Sequence, residues 1–161
     1  MTKPVQSIPT GHENLIPHLV CSSCSEAIEF YKKAFGAEET VRMAGPDGKI
    51  MHAEVRIGDS VLMLGEENLA MDQHSPQSLN GAHAGVMVYC DNVDQWVERA
   101  VKAGATVKQP AADMFWGDRY ASLVDPFGCK WSIATHLKDM SPAEMKVATA
   151  EFMKQMAAQK K

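Results

Sequence analysis

The 161-residue sequence lacks any run of about 18 or more apolar residues, so it contains no candidate transmembrane helix. Residues 1–11 also lack the apolar stretch that a secretory signal peptide needs. Hydrophobic residues make up 45% and charged residues 22%, as in ordinary globular proteins. We therefore expect a cytoplasmic protein with one domain, or with two small modules that share a core.

The sequence also has little excess charge of either sign and few cysteines. The net charge is −4 with acidic and basic residues interspersed, so the sequence predicts neither nucleic acid nor a membrane surface as a partner. Four cysteines do not suggest a disulfide framework in a chain of this size. Cys21-Ser-Ser-Cys24 has the spacing of a redox or zinc half-site, but two small residues at a strand-to-helix turn would look the same. No Gly-x-Gly-x-x-Gly motif is present.

What the sequence does contain is one pattern of strand, helix and three strands that occurs twice. In the first copy, Ser23 with Glu26 three residues later predicts a capped helix that ends at Gly36. Apolar and alternating stretches predict four strands, at 14–21, 38–43, 51–57 and 60–64. Gly58-Asp59 joins the last two strands as a two-residue turn, which places His52 and Glu54 on one face with Met63.

The second copy follows a polar, turn-rich stretch. Its predicted elements are a strand at 83–90, a helix at 91–103, a strand at 106–109 that ends before Pro110, and a hairpin within 116–136. We therefore expect an α+β fold of two paired β-α-β-β-β modules whose sheets face each other. The chain divides into a flexible leader, first module, linker, second module and C-terminal helix, at 1–12, 13–64, 65–82, 83–138 and 139–161.

The last hairpin carries the turn sequence Asp125-Pro126-Phe127-Gly128, which favours a type I turn. With a two-residue loop, Arg119 and Ser132 share the face that is free to line a cavity. Tyr120 and Trp131 then share the opposite face, which we expect to pack on the helices.

The C-terminal helix begins at Ser141-Pro-Ala-Glu144, which combines an N-cap serine, a proline at the first helical position and a capping-box glutamate. One face of this helix is largely apolar and consists of Met145, Ala148, Thr149, Phe152, Met153 and Met156. The face either covers the domain itself or packs on a second subunit.

Three segments in this order resemble the vicinal oxygen chelate superfamily of glyoxalases, bleomycin-resistance proteins and extradiol dioxygenases, and within it the PhnB-like branch. They are 27–37, 51–64 and 116–136, and the whole resemblance covers roughly residues 14–140. It implies that the two modules form a curved, incompletely closed barrel around a cavity, usually with a divalent metal inside. It also implies a homodimer.

The family's usual metal ligands are two histidines and two glutamates. The resemblance places these four ligands at Ile16, Met63, Gly85 and Ser132. None of these side chains binds a hard or borderline metal in the usual way. The resemblance therefore implies the scaffold without its standard metal site.

Other polar residues are expected on the cavity side of the strands. His18 and His83 lie two residues from the expected ligand positions and so on the same strand faces, where they join His52, Glu54 and Arg119. We expect these groups either to hydrogen-bond a ligand or water, or to hold a divalent metal at a non-standard site formed by His18, His52, Glu54 and His83. The candidate ligand-binding residues are Arg119, Ser132, Trp116, His52 and Met63.

Three functions are compatible with this set of residues. The preferred function is binding of a small organic molecule, for example an anion against Arg119, with the reaction undetermined. A second is a metal-dependent lyase, isomerase or dioxygenase in which Glu54 moves a proton. The third is an antibiotic-sequestering protein.

Overall fold

The computed structural model describes residues 7–82 and 84–158. The elements of the first module are β1 (His18–Cys21), α1 (Cys24–Phe35), β2 (Glu38–Ala44), β3 (Ile50–Ile57) and β4 (Ser60–Glu66). Those of the second are β5 (Gly85–Tyr89), α2 (Val93–Lys102), β6 (Thr106–Asp113), β7 (Asp118–Val124) and β8 (Lys130–His136). The chain continues into α3 (Pro142–Ala158).

Each module forms its own four-stranded sheet, and the two sheets have the same topology. Their strand orders are β1-β4-β3-β2 and β5-β8-β7-β6. In each sheet the first strand runs parallel to the last, and the other pairs are antiparallel. The α+β fold of two β-α-β-β-β modules with a C-terminal helix is confirmed. Among the described strands no pair joins one sheet to the other, so the sheets do not close into a barrel.

The two modules share one hydrophobic core, in which α1 packs against α2. The ring of Phe35 from α1 lies 4.5 Å from that of Trp131 on β8 and 5.7 Å from that of Trp96 on α2. Tyr31 lies 5.2 Å from Trp131 as well. The expectation that Trp131 faces the helices is therefore confirmed.

The predicted helix ends are borne out in part. Gly36 ends α1 with φ of 67°, a left-handed conformation that glycine adopts without strain. Ser23 is the N-cap residue of α1, but its side chain makes no capping hydrogen bond, so the capping box predicted there is wrong. The box predicted for α3 is present, because Ser141 Oγ accepts from Glu144 N and Ser141 N donates to Glu144 Oε2.

Two strand predictions in the second module are corrected. Strand β6 continues through Pro110 to Asp113 instead of ending at Gln109. It is an edge strand, where a missing backbone N–H is tolerated, and its register with β7 is irregular between Gln109 and Ala112. Strand β5 begins at Gly85, and the predicted first residue, His83, lies outside the described residues.

The register of the β7–β8 hairpin is also corrected. Gly128 has φ of 86° and adds a third loop residue, so that Asp125 N donates to Cys129 O and Val124 pairs with Lys130. This is the bulged loop in which a type I turn is followed by a left-handed residue. The one-residue difference exchanges the faces of Arg119 and Tyr120.

Helix α3 has no buried residue along its described length. Its packing on the domain includes the ring of Phe152, which stacks on Phe115 at 4.7 Å. Val147 and Met153 are 58% and 63% exposed. None of the helices within residues 7–82 and 84–158 is both long and apolar enough to cross a membrane.

Candidate functional site

The face of the first sheet that points away from α1 gathers four of the candidate residues. Glu54 pairs with Met63 across the β3–β4 hairpin, as the two-residue turn predicts. On the other side of β4, Met63 pairs with His18 of β1. Because side chains alternate along a strand, His18, His52, Glu54 and Met63 share this face.

Glu54 is held by two imidazoles. Its Oε1 lies 3.2 Å from His52 Nε2, and its Oε2 lies 3.2 Å from His12 Nε2. Burial raises the pKa of Glu54, but the hydrogen bonds of His52 and His12 outweigh this effect and hold the pKa below its ordinary value. The Glu54 carboxylate is therefore ionised at neutral pH, and both of its oxygens are engaged. It becomes an effective base only when one of the two imidazoles moves away.

His12 is a member of this cluster that the sequence does not predict. It belongs to the leader, which lies against the sheet because Arg56 Nη2 donates to Gly11 O at 3.2 Å. His12 Nδ1 is buried and has no hydrogen-bond partner in the described part of the chain. A contact between residues 42 positions apart leaves no local pattern in the sequence.

His18 borders the same cluster. Burial, and after it the charge of His52, lowers the pKa of His18 below its ordinary value. We therefore expect a neutral imidazole at pH 7, able to donate one hydrogen bond and to accept another.

The open face of the second sheet carries a separate polar network centred on Asp118. The buried Asp118 accepts from Tyr89 OH at 3.0 Å and Trp116 Nε1 at 3.1 Å, and its Oδ1 lies 2.8 Å from His136 Nδ1. Burial raises the pKa of Asp118, but the hydrogen bonds, that of His136 foremost, lower it below its usual value. Trp116 is thus anchored by its indole nitrogen.

Ser132 lies on this open face, as predicted. Its Oγ is 2.8 Å from the hydroxyl of Tyr120, which the one-residue shift brings to the same side. The Tyr120 ring meets Trp116 edge to face at 5.7 Å. No hydrogen bond of the described residues links this network to the Glu54 cluster, so the candidate residues fall into two groups.

The prediction that Arg119 faces a cavity is wrong. Its strand position places it on the side of the helices, where Nε and Nη2 donate to Asp94 of α2 at 2.7 and 2.9 Å. Nη1 donates to Asp113 at 2.8 Å. These hydrogen bonds, that of Asp94 first, raise the pKa of Arg119, and its charge is already matched by two carboxylates.

Beside the edge strands β1 and β5, the described residues of the two modules enclose two cavities. The larger, about 610 Å³, is bounded by segments 13–17, 57–62 and 86–89 and by Trp131. The smaller, about 330 Å³, lies between β1, the linker and the start of β8. Of the described candidate residues, His18 alone lines either cavity.

Comparison with known proteins identifies the scaffold. The model of the Glyoxalase/Bleomycin resistance protein/Dioxygenase superfamily matches residues 15–133, which is most of the chain. The chain belongs to this superfamily. The uncharacterised protein Rv0887c of Mycobacterium tuberculosis H37Rv is 39% identical over 137 residues, covering 83% of this chain and 81% of the relative. Protein YjdN of Escherichia coli K12 is 23% identical, covering 74% and 92%.

Solved structures share the superfamily fold. TioX from Micromonospora sp. ML1 has a TM-score of 0.61 and 26% identity, covering 78% of this chain and 99% of TioX. A glyoxalase/bleomycin resistance protein/dioxygenase family enzyme from Burkholderia phytofirmans PsJN has a TM-score of 0.60 and 18% identity, covering 76% and 97%. The second likeness supports the fold alone.

The superfamily's usual divalent metal does not fit the side chains present. Ile16 precedes β1, and Gly85 pairs with Lys130. Ser132 lies between Met87 and Ser122, and Met63 lies between His18 and Glu54. The four expected ligand positions themselves offer no imidazole and no carboxylate, and both oxygens of the neighbouring Glu54 are engaged by His12 and His52. That donor set does not match the nitrogen and oxygen ligands of a glyoxalase-type metal. Within the described ranges no three His, Cys, Asp or Glu side chains are arranged to hold a metal ion, and His83 lies outside them.

The Cys21 and Cys24 thiols are free and buried in the core beside Cys129. Contacts with Cys129 and Cys24, together with burial, raise the pKa of Cys21 well above its ordinary value. A thiol held protonated is a poor nucleophile and a poor metal ligand. We therefore interpret the Cys21-Ser-Ser-Cys24 segment as part of the core packing at the turn between β1 and α1.

Proposed function

We propose that this superfamily member binds a small, mainly apolar organic molecule in the larger inter-module cavity, without the divalent metal usual in the family. The cavity itself is the observation that supports this proposal. Its volume of about 610 Å³ lies in the range of ligand sites. Apolar side chains form most of its wall, among them Leu15, Ile16, Val61, Met87 and Trp131. Glu13, Asp59 and Ser60 add polar groups that can orient a ligand.

This location differs from the one that the sequence suggests. The candidate ligand-binding residues His52, Met63, Trp116 and Ser132 lie on the open faces of the sheets, and they engage one another or their neighbours. A metal-dependent enzyme with Glu54 as its base is less well supported, because both oxygens of that carboxylate are occupied.

We also propose that the chain belongs to the PhnB-like branch, forms a homodimer and works in the cytoplasm. The three segments that resemble this branch form α1 and the hairpins β3–β4 and β7–β8, which are the framework of both modules. Exposed apolar side chains on α3 support a second copy as partner: Val147, Met153 and Met156. The four free thiols are consistent with a reducing compartment.

Binding of 2-naphthol, followed by calorimetry, tests the cavity. Met87→Trp places a bulky ring in the cavity and should weaken binding by about tenfold or more, a loss of about 1.4 kcal/mol. Met43→Trp is the matched control, because Met43 is also half-exposed on a strand but lies outside the cavity wall. At 100 times its dissociation constant, a ligand should add about 2.7 kcal/mol to the free energy of unfolding.

Two results would contradict the proposal. One is equal affinity of 2-naphthol for both tryptophan variants and the unmodified protein. The other is one tightly bound divalent metal ion per chain in protein purified without chelators, measured by mass spectrometry of the metals.

A further inference from the structure

The smaller inter-module cavity differs from the larger one in its charges. Glu13 and Asp59 line the larger cavity. Among the residues that the structure describes, no aspartate or glutamate lines the smaller one, although the net charge of the chain is −4. The side chains on its wall that can carry a positive charge are Lys130, His18 and His74. The smaller cavity therefore has one lysine and two imidazoles on its wall, and none of its described wall residues is acidic.

Two of these three groups have no partner in the part of the chain that the structure describes. His74 Nε2 is engaged by Asp72 Oδ1 at 2.9 Å. The Lys130 ammonium group forms no ion pair or hydrogen bond with the described residues, and neither does the imidazole of His18. Both residues line the cavity, so a ligand that enters it meets two polar side chains that have no described partner.

The remainder of the wall is apolar. It includes Leu19 and Val86, which also pack against the shared core, together with Val20, Pro76, Leu79 and Cys129. The volume of about 330 Å³ is at the lower end of the range for ligand sites. An apolar wall with one lysine and a neutral imidazole that can donate a hydrogen bond is complementary to a small molecule that has an apolar body and one anionic group.

We propose that the smaller cavity binds a small organic anion with an apolar body, such as a medium-chain carboxylate. The anionic group contacts Lys130 and His18, and the apolar body lies on Leu19, Val20 and Val86. This site adjoins the proposed site in the larger cavity, with which it shares Pro17 and Val86, and it selects a different class of ligand. The sequence suggests that an anion binds against Arg119, and the proposal places the anion at Lys130 and His18 instead.

Three probes of similar length and different charge test this proposal: hexanoate, 1-hexanol and hexylamine. Calorimetry at low ionic strength should give an affinity for hexanoate about tenfold or more above those of the other two. Lys130→Glu should abolish the preference for hexanoate and favour hexylamine. Lys108→Glu makes the same charge change at another exposed strand residue and should leave the order of affinities as it is in the unmodified protein.

Lys130 is exposed, so we expect both glutamate variants to fold, and circular dichroism checks this. The proposal is overturned by equal binding of hexanoate and 1-hexanol, by absence of hexanoate binding, or by equal effects of the two variants. None of these outcomes affects 2-naphthol in the larger cavity, so the two proposals fail independently.

Discussion

The carboxylate of Asp125 joins the two modules, and its replacement by asparagine tests how much that junction contributes. Oδ2 accepts from Tyr31 OH of α1 at 2.8 Å and from Trp131 Nε1 of β8 at 3.0 Å. Oδ1 accepts from the backbone N–H groups of Phe127 and Cys129, both at 2.9 Å. All four donors lie in the buried core region around the β7–β8 loop.

In Asp125→Asn, the amide oxygen can still accept from the two backbone N–H groups. The amide nitrogen then faces Trp131 Nε1, and two donors cannot bond to each other. An unsatisfied buried donor costs about 1–3 kcal/mol, and a lost hydrogen bond to a charged group about 1.5–3 kcal/mol. Burial raises the pKa of Asp125 despite its four hydrogen bonds, so a neutral amide recovers part of the desolvation cost.

We therefore expect Asp125→Asn to lower the free energy of unfolding by about 2–3 kcal/mol. For a chain of this size, that corresponds to a fall in Tm of about 4–12 °C. Far-ultraviolet circular dichroism during urea and thermal unfolding measures both quantities without relying on tryptophan fluorescence.

The Trp131→Phe background separates the proposed cause from a general loss of packing. Without the indole nitrogen, no donor faces the new amide, so Asp125→Asn should cost at least about 1 kcal/mol less there than in the unmodified protein. An equal cost in both backgrounds, or no cost in either, would refute the reasoning.

Two further predictions concern charged side chains. Hydrogen bonds to Asp118 and then to Asp139 raise the pKa of His136 above its ordinary value of 6.5. The hydrogen bonds of protonated His136 stabilise the folded protein fully below pH 6.5, and this stabilisation is lost as the pH rises through the raised pKa. The free energy of unfolding should therefore fall more steeply above pH 6.5 in the unmodified protein than in His136→Asn. Parallel curves in urea titrations across this pH range would contradict the prediction. Arg119→Ala should leave the affinities for 2-naphthol and hexanoate unchanged, because Asp94 and Asp113 hold the guanidinium on the helix side of the sheet. A loss of affinity in calorimetry, with folding intact, would show that Arg119 contacts a ligand.

The two hairpins show how far local sequence determines the position of a site residue. Gly58-Asp59 forms a two-residue turn, and the predicted partners Glu54 and Met63 are confirmed. Asp125 to Gly128 fits a two-residue loop and a three-residue bulged loop equally well in sequence. The buried hydrogen bonds of Asp125 and the left-handed Gly128 select the longer loop, so the predicted face of Arg119 is wrong.

The polar contacts around the candidate residues were harder to predict than the strands. His12 reaches Glu54 from the leader, and Tyr89 reaches Asp118 from another strand. Each contact joins residues that are distant in the sequence, and neither has a spacing that distinguishes it from a solvent-exposed side chain. The inter-module cavities depend likewise on the packing of two complete modules, which no single motif encodes.

The same buried carboxylate connects stability with the smaller cavity. Asp125 Oδ1 accepts from the backbone N–H of Cys129, and the next residue is Lys130, which lines that cavity. Tyr31 holds Asp125 from the first module, where β1 forms the opposite wall. Because this junction positions both walls of the cavity, we expect Asp125→Asn to weaken hexanoate binding although Asp125 itself does not line the cavity. The His136 and Arg119 variants alter charges remote from this junction.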